Sequence, residues 1–190
     1  DNILSILKHG ILSHVRVEND QVPFTPIYDS QIVSRRKLIA TPDGKTLWDY
    51  ANLYFQPRNP MLYRVLCEKD MDKICIVACT HALLSSPGVF VSTGNAAHSK
   101  TTILPASQGL SIIGDDINKE WWAEVDDSKR KIMAECLVPD RVPPDAIQTI
   151  YVAHQGVASK LKTLFPSIHI PVVAEPPIFF QPHKKMKLTE

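Results

Sequence analysis

No apolar run in this 190-residue chain approaches the roughly 18–20 residues that span a bilayer. Runs such as ICIVAC at 74–79 and GVFV at 88–91 suit buried strands instead, so a membrane span is excluded. Cysteine is scarce: Cys67, Cys75, Cys79 and Cys136 show no CxxC spacing and offer neither a dense disulfide framework nor a zinc cage. Reduced core thiols and a cytoplasmic setting are the expectation. Neither sign of charge dominates. Lys and Arg number 21 against 20 Asp and Glu, a formal +1, so coating by nucleic acid through bulk charge is disfavoured and any such contact must be local. Glycine is sparse, with 7 residues, and none builds a phosphate-cradling loop of either standard type; GxSxG and HExxH are missing as well. His81, His98, His154 and His169 are scattered without ligand spacing, and no metal is expected. What the chain does have is 44% hydrophobic and 22% charged residues, the balance of a folded domain with a real core.

Ile3, Ile6, Leu7 and Ile11 recur at helical spacing, with Asp1 as N-cap and Gly10 as stop, which predicts a short opening helix. A polar loop through Pro23 and Pro26 leads to a mixed segment, 28–39, that carries the basic cluster Arg35, Arg36 and Lys37. PDG at 42–44 is a turn. Residues 47–54 then read as strand, QPRNP at 56–60 as a rigid break, and 61–66 as helix. Residues 73–79 and 89–92 read as strands buried on both faces, because they are nearly continuous apolar runs. From 94 to 120, Ser, Thr, Gly, Asn and Lys predict a long mobile loop with a turn of helix at most. Residues 131–138 alternate as a strand that sets Glu135 on an otherwise apolar face. A turn from Pro143, a strand at 147–152, a helix at 156–165 and a strand at 168–173 complete the pattern, and the basic tail KKMK at 184–187 reads as solvated. Many short strands with few helices make an α+β fold.

Glu135 is the residue this pattern does not explain. A carboxylate in an apolar strand is costly to bury unless it is paired or employed. By residue type it is either an edge-strand side chain reaching water or an arginine, or a catalytic group. Arg35 and Arg36 are likewise either a solvated face or an anion clamp. Residue types leave both choices open.

Several segments taken together resemble a known family. DNILSILKHGIL at 1–12, IVSRR at 32–36, DYANLYFQPRNPMLY at 49–63, VSTGNAA at 91–97 and MAECLV at 133–138 are similar, in this order, to the DarT DNA ADP-ribosyltransferase toxins. The YF-x-PR-x-PMLY block is the most specific part, and the following strands are more weakly similar.

The resemblance implies a single ADP-ribosyltransferase domain over 1–190, with a split mixed β-sheet, flanking short helices and a cleft that holds NAD as substrate without a metal. It implies transfer of ADP-ribose to a base in single-stranded DNA, by the toxin half of a pair whose antitoxin is a macrodomain that removes the mark. Glu135 would be the catalytic glutamate and Arg35 the active-site arginine, also in contact with NAD. Asn2, Gly10 and Leu12 would lie beside NAD, and Tyr54, Phe55, Met61 and Leu62 would wall the nicotinamide. Arg36, Lys37, Asn95 and Lys100 would meet the DNA. The family's strand with a ribose-holding histidine lies just before the Asp1–Asn2 pair, outside the sequence, and the expectation for a chain without it is weak NAD binding. A non-catalytic nucleic-acid binder and a transferase acting on RNA or protein are the alternatives.

Overall fold

The computed structural model describes residues 2–27, 30–123 and 125–180. The expected cap at Asp1, the start of the mixed segment at Tyr28 and the basic tail lie outside the described residues. Asn2 occupies the N-cap position of α1 (Ile3–His9), and Gly10 ends that helix at φ +86° with its N–H on Ile6 O at 2.8 Å. A Cβ at Gly10 would overlap the Val142 carbonyl oxygen, so glycine is required by space and by conformation together. β1 (Ile11–Leu12) and α2 (His14–Asn19) follow, the latter capped by the Ser13 hydroxyl, which accepts from the Arg16 N–H. α3 (Ser30–Arg36) leads through a bridged turn, Ala40 opposite Thr46, into β2 (Tyr50–Tyr54). In α4 (Pro60–Glu68) the PRNP break does two local jobs: Pro60 starts the helix, and the Asn59 side chain accepts from the Met61 and Leu62 N–H groups.

β3 (Cys75–Cys79), β4 (Phe90–Ser92), β5 (Ile103–Pro105), α5 (Ala106–Ile113), α6 (Ser128–Lys131), β6 (Glu135–Pro139), β7 (Arg141–Val142), β8 (Ile147–Val152), α7 (Gln155–Leu164) and β9 (Val172–Ala174) complete the chain. The strands form three sheets: β1 with β7, an antiparallel sheet in the order β2-β6-β4-β5, and β3-β8-β9, in which β8 and β9 are parallel. Alternation along β6 divides two cores. Cys136 and Val138 pack with Val91, Ala51 and Leu83, while Leu137 packs on the other face with Tyr50, Leu47 and Phe90. A third core, around Ile150, Val152 and Val172, joins the second large sheet to Ile3 of α1 and to α7.

Five expectations are corrected. The stretch 94–120 is not a long mobile loop: β5, α5 and a 3-10 turn at Gly114–Asn118 fill most of it. Its Ser and Gly content masks a helix whose Ala106, Gly109 and Ile113 are buried, Gly109 so close to β4 that a Cβ would overlap Val91. The strand expected over 131–138 begins only at Glu135, because Lys131 belongs to α6. The strand expected over 168–173 shrinks to β9, since Pro171 supplies a carbonyl to Ile150 N–H but has no N–H of its own. β3 is half-buried along its whole length rather than packed on both faces, and Cys67 is exposed on α4.

Candidate active site

Glu135 opens β6 opposite Tyr54 of β2 and is 1% exposed. Every oxygen of its carboxylate has a donor. Oε1 accepts from the Ala96 backbone N–H at 2.9 Å and from Arg36 Nη1 at 3.3 Å, and Oε2 accepts from Arg36 Nη2 at 2.6 Å. Its own N–H donates to Ser92 Oγ at 3.0 Å, and that hydroxyl donates onward to Gly94 O at 2.6 Å. A buried charge is tolerable only when paired and hydrogen-bonded in this way. Burial alone would lower the Arg36 pKa, but the field and hydrogen bonds of Glu135 outweigh it and raise it. Burial, and after it the Glu135 charge, push the Tyr54 phenol up and keep it protonated.

Arg36 reaches this point because the end of α3 is fastened from outside. Trp48 Nε1 donates to Val33 O at 3.0 Å, the His14 ring stacks on Trp48 at 4.9 Å, and Lys37 Nζ lies 4.6 Å from the Trp48 ring centre. Burial, and then the Arg36 charge, lower the His14 pKa.

A cavity of about 460 Å³ lies between the two large sheets. Residues 52–55 and 74–81 line it in unbroken runs. One face of a strand would contribute alternate residues, so the space is bordered by the facing edges of β2 and β3, each an outer strand of its sheet, with Cys136 of β6 and Tyr151 of β8 also in the lining. Phe55, Met61, Leu62 and Tyr54 are in the wall. Glu135 and Arg36 are not, although Cys136, the next residue of β6, and Tyr54, the ladder partner of Glu135, both line the gap.

The structure therefore brings Glu135, Arg36 and Tyr54 together and sets Tyr54, Phe55, Met61 and Leu62 around one gap. Arg35, expected beside the carboxylate, is exposed, and its neighbour Arg36, expected on DNA, holds the carboxylate instead. Asn2 spends its side chain on the Thr25 backbone, accepting from N–H at 2.7 Å and donating to O at 2.8 Å. Gly10 is packed against β7, and Leu12 pairs with Arg141 in the small sheet. Asn95 Oδ1 accepts from the Ala97 N–H at 3.0 Å, shaping the loop after β4, and Lys100 is exposed on that loop. Sequence reasoning missed Ser92 and the Ala96 amide, although both lie in the VSTGNAA segment, and it had no signal for Arg130, which ties that loop down through Thr93 O and Thr101 Oγ1. Among the described residues no group of His, Cys, Asp and Glu is arranged to hold a metal ion, and no helix is long and apolar enough to cross a membrane.

Known structures define the class. The fold matches Thermosipho africanus DarTG in complex with ADP-ribose, with a TM-score of 0.90 and 43% identity over 100% of this chain and 51% of that one. Thermus sp. 2.9 DarT in complex with ADP-ribosylated ssDNA shares the fold at a TM-score of 0.79 and 23% identity, over 95% and 92% of the two chains. A split-sheet domain of this kind is an ADP-ribosyltransferase fold. The chain belongs to the DarT family: the family model for "ssDNA thymidine ADP-ribosyltransferase, DarT" matches residues 1–182. It is 45% identical over 193 aligned positions to a DNA ADP-ribosyl transferase-DNA ADP-ribosyl glycohydrolase fusion protein of T. africanus (strain H17ap60334), and it spans 50% of that protein's length.

Proposed function

We propose that this chain is an NAD-dependent ADP-ribosyltransferase that moves ADP-ribose onto thymidine in single-stranded DNA, as the toxin half of a toxin–antitoxin pair. The observation that carries this reading is the buried Glu135 carboxylate, held by Arg36 and the Ala96 amide beside the split between β2 and β3, in a member of the DarT family.

The gap suits the nicotinamide end of NAD. Its volume is in the range of small-molecule sites, its wall at Phe55, Met61 and Leu62 is apolar, and Asn52 adds one polar side chain to the lining. NAD supplies a ribose whose bond to nicotinamide breaks with growing positive charge. Glu135 supplies negative charge near that sugar and takes the proton of the accepting base nitrogen. Arg36 fixes the carboxylate's orientation, the place that the family resemblance gives to Arg35. Asn2, Gly10 and Leu12 act on the nucleotide side by shaping the backbone of the first helix and its following strand. Arg35, Lys37 and Lys100, all exposed, meet phosphates, with Asn95 shaping the loop that carries Lys100. The antagonist is an ADP-ribosyl glycohydrolase of the kind fused to the T. africanus relative, and the setting is the cytoplasm.

The test is labelling by radioactive NAD of thymidine-containing single strands, the same sequences as duplex, RNA and protein, with mass spectrometry of the released nucleosides. Modified thymidine in single strands, with far less in duplex because unpairing costs a few kcal/mol, is the expected result. Label on RNA or protein alone, or none anywhere with intact NAD, overturns it.

A further inference from the structure

Arg130 touches neither Glu135 nor Arg36 through its side chain, yet the loop between β4 and β5 hangs on it. Its side chain is 11% exposed. Nε lies 3.0 Å from both oxygens of Asp127 and Nη2 lies 2.7 Å from Oδ2. Nη1 donates to Thr93 O at 2.9 Å and to Thr101 Oγ1 at 3.1 Å, while the Arg130 carbonyl accepts the Asn95 N–H at 2.9 Å. Thr93 and Asn95 at the start of the loop and Thr101 at its end are thus tied to one residue.

The same loop supports Glu135 twice, through the Ala96 N–H on Oε1 and through Gly94 O, which holds the Ser92 hydroxyl that accepts the Glu135 N–H. Two further features belong to the tie. A Cβ on Gly94 would overlap Arg130 Nη1 and lie 2.9 Å from its carbonyl oxygen. Asp127, the anchor of the guanidinium, sits at φ +62°, a left-handed conformation that among non-glycine residues Asp and Asn adopt most readily.

We propose that Arg130 is a positioning residue for Glu135: by fixing 93–101 it keeps the Ala96 amide on Oε1 and the carboxylate in a single orientation. The bonds leave from three nitrogens fixed in one plane, Nε and Nη2 toward Asp127 and Nη1 toward Thr93 and Thr101, a spread that the guanidinium provides and the single nitrogen of an ammonium does not. The inference rests on the transferase reading, and its test separates the two.

In the full chain, Arg130→Lys, Arg130→Ala and the milder Thr101→Val are compared with wild type by amide hydrogen exchange and by steady-state transfer to a thymidine oligonucleotide. The expected result is exchange at Ala96 faster by about tenfold or more, and kcat lower by roughly 10- to 100-fold, as for a displaced catalytic group. KM for NAD should stay within about threefold, and Thr101→Val should move in the same direction by less. An Ala96 amide as protected as in wild type in a folded variant, or activity lost only in step with the unfolded fraction, overturns the proposal. Should both arginine variants unfold, Thr101→Val decides. Wild-type protein that transfers nothing overturns the transferase reading, and Ala96 exchange then decides the clamp alone.

Discussion

Arg36 grips both carboxylate oxygens of Glu135, at 2.6 and 3.3 Å, while Arg35, one position earlier on the same helix, is exposed. Successive helical residues point about 100° apart, so only one of the two can occupy that place. Arg36→Ala should therefore lower transfer by about 10²-fold or more, and Arg35→Ala by much less. Because Glu135 would be left buried and unpaired, Arg36→Ala should also cost about 3–5 kcal/mol of stability. Adding Glu135→Gln should restore part of that stability and none of the activity. Urea unfolding alongside oligonucleotide labelling checks each half.

Ser92 is fully buried and relays the Glu135 N–H to Gly94 O. Ser92→Ala removes the acceptor and leaves a buried N–H, at a cost of about 1–3 kcal/mol. Ser92→Cys, with a weaker and longer-reaching acceptor, should fall between. Melting curves of the two variants would show the order, and equal stability of all three proteins would sink it.

A pH dependence follows from the turn before β2. Burial works against the Asp43 charge, but the Thr41 and Tyr50 hydroxyls at 2.7 Å and the Lys45 backbone outweigh it and hold the carboxyl at about 2 instead of 3.8. Burial and then Asp43 push Tyr50 from 10.0 to about 12. The depressed carboxyl adds stability above its unfolded value that is lost as pH falls toward 2; the raised phenol adds stability below 10 that is lost as pH rises toward 12. Asp43→Asn should flatten the acid limb, and Tyr50→Phe the alkaline limb, of unfolding free energy against pH.

Gly10→Ala meets the Val142 carbonyl at a φ of +86° and ψ of −173°, a region open in practice to glycine alone. A loss of about 2 kcal/mol or more is expected, with the pairing of Ile11 and Leu12 to β7 the first to loosen. Amide exchange at those two residues reports it, and protection equal to wild type would refute it.

How far the sequence could be read depended on range. Local signals were sound: residues 147–152 form β8 as expected, the PRNP break caps α4, and Glu135 stands out as a carboxylate in an apolar strand. Arg36 could not be told from Arg35 by residue type, because the choice is made by helix rotation and by the Trp48 bond to Val33 O. α5 was hidden by the Ser and Gly it carries, since its burial against β4 is a tertiary effect that overrides propensity. Ala96 acts through its own N–H, and Ser92 and Arg130 bind backbone groups of residues far along the chain or across the loop, pairings that residue identity does not reveal.

The pair at the centre of the site joins residues 99 positions apart, and Glu135 meets Ala96 across 39. Contacts of such sequence separation close late, since the entropy of the intervening chain is surrendered before they return any stabilisation. During synthesis Arg36 and the loop at 93–97 emerge well before β6, so no shorter nascent length holds the charges together. The proposed chemistry thus waits on completion of the fold, and an agent that kept β6 from docking between β2 and β4 should abolish transfer without entering the pocket.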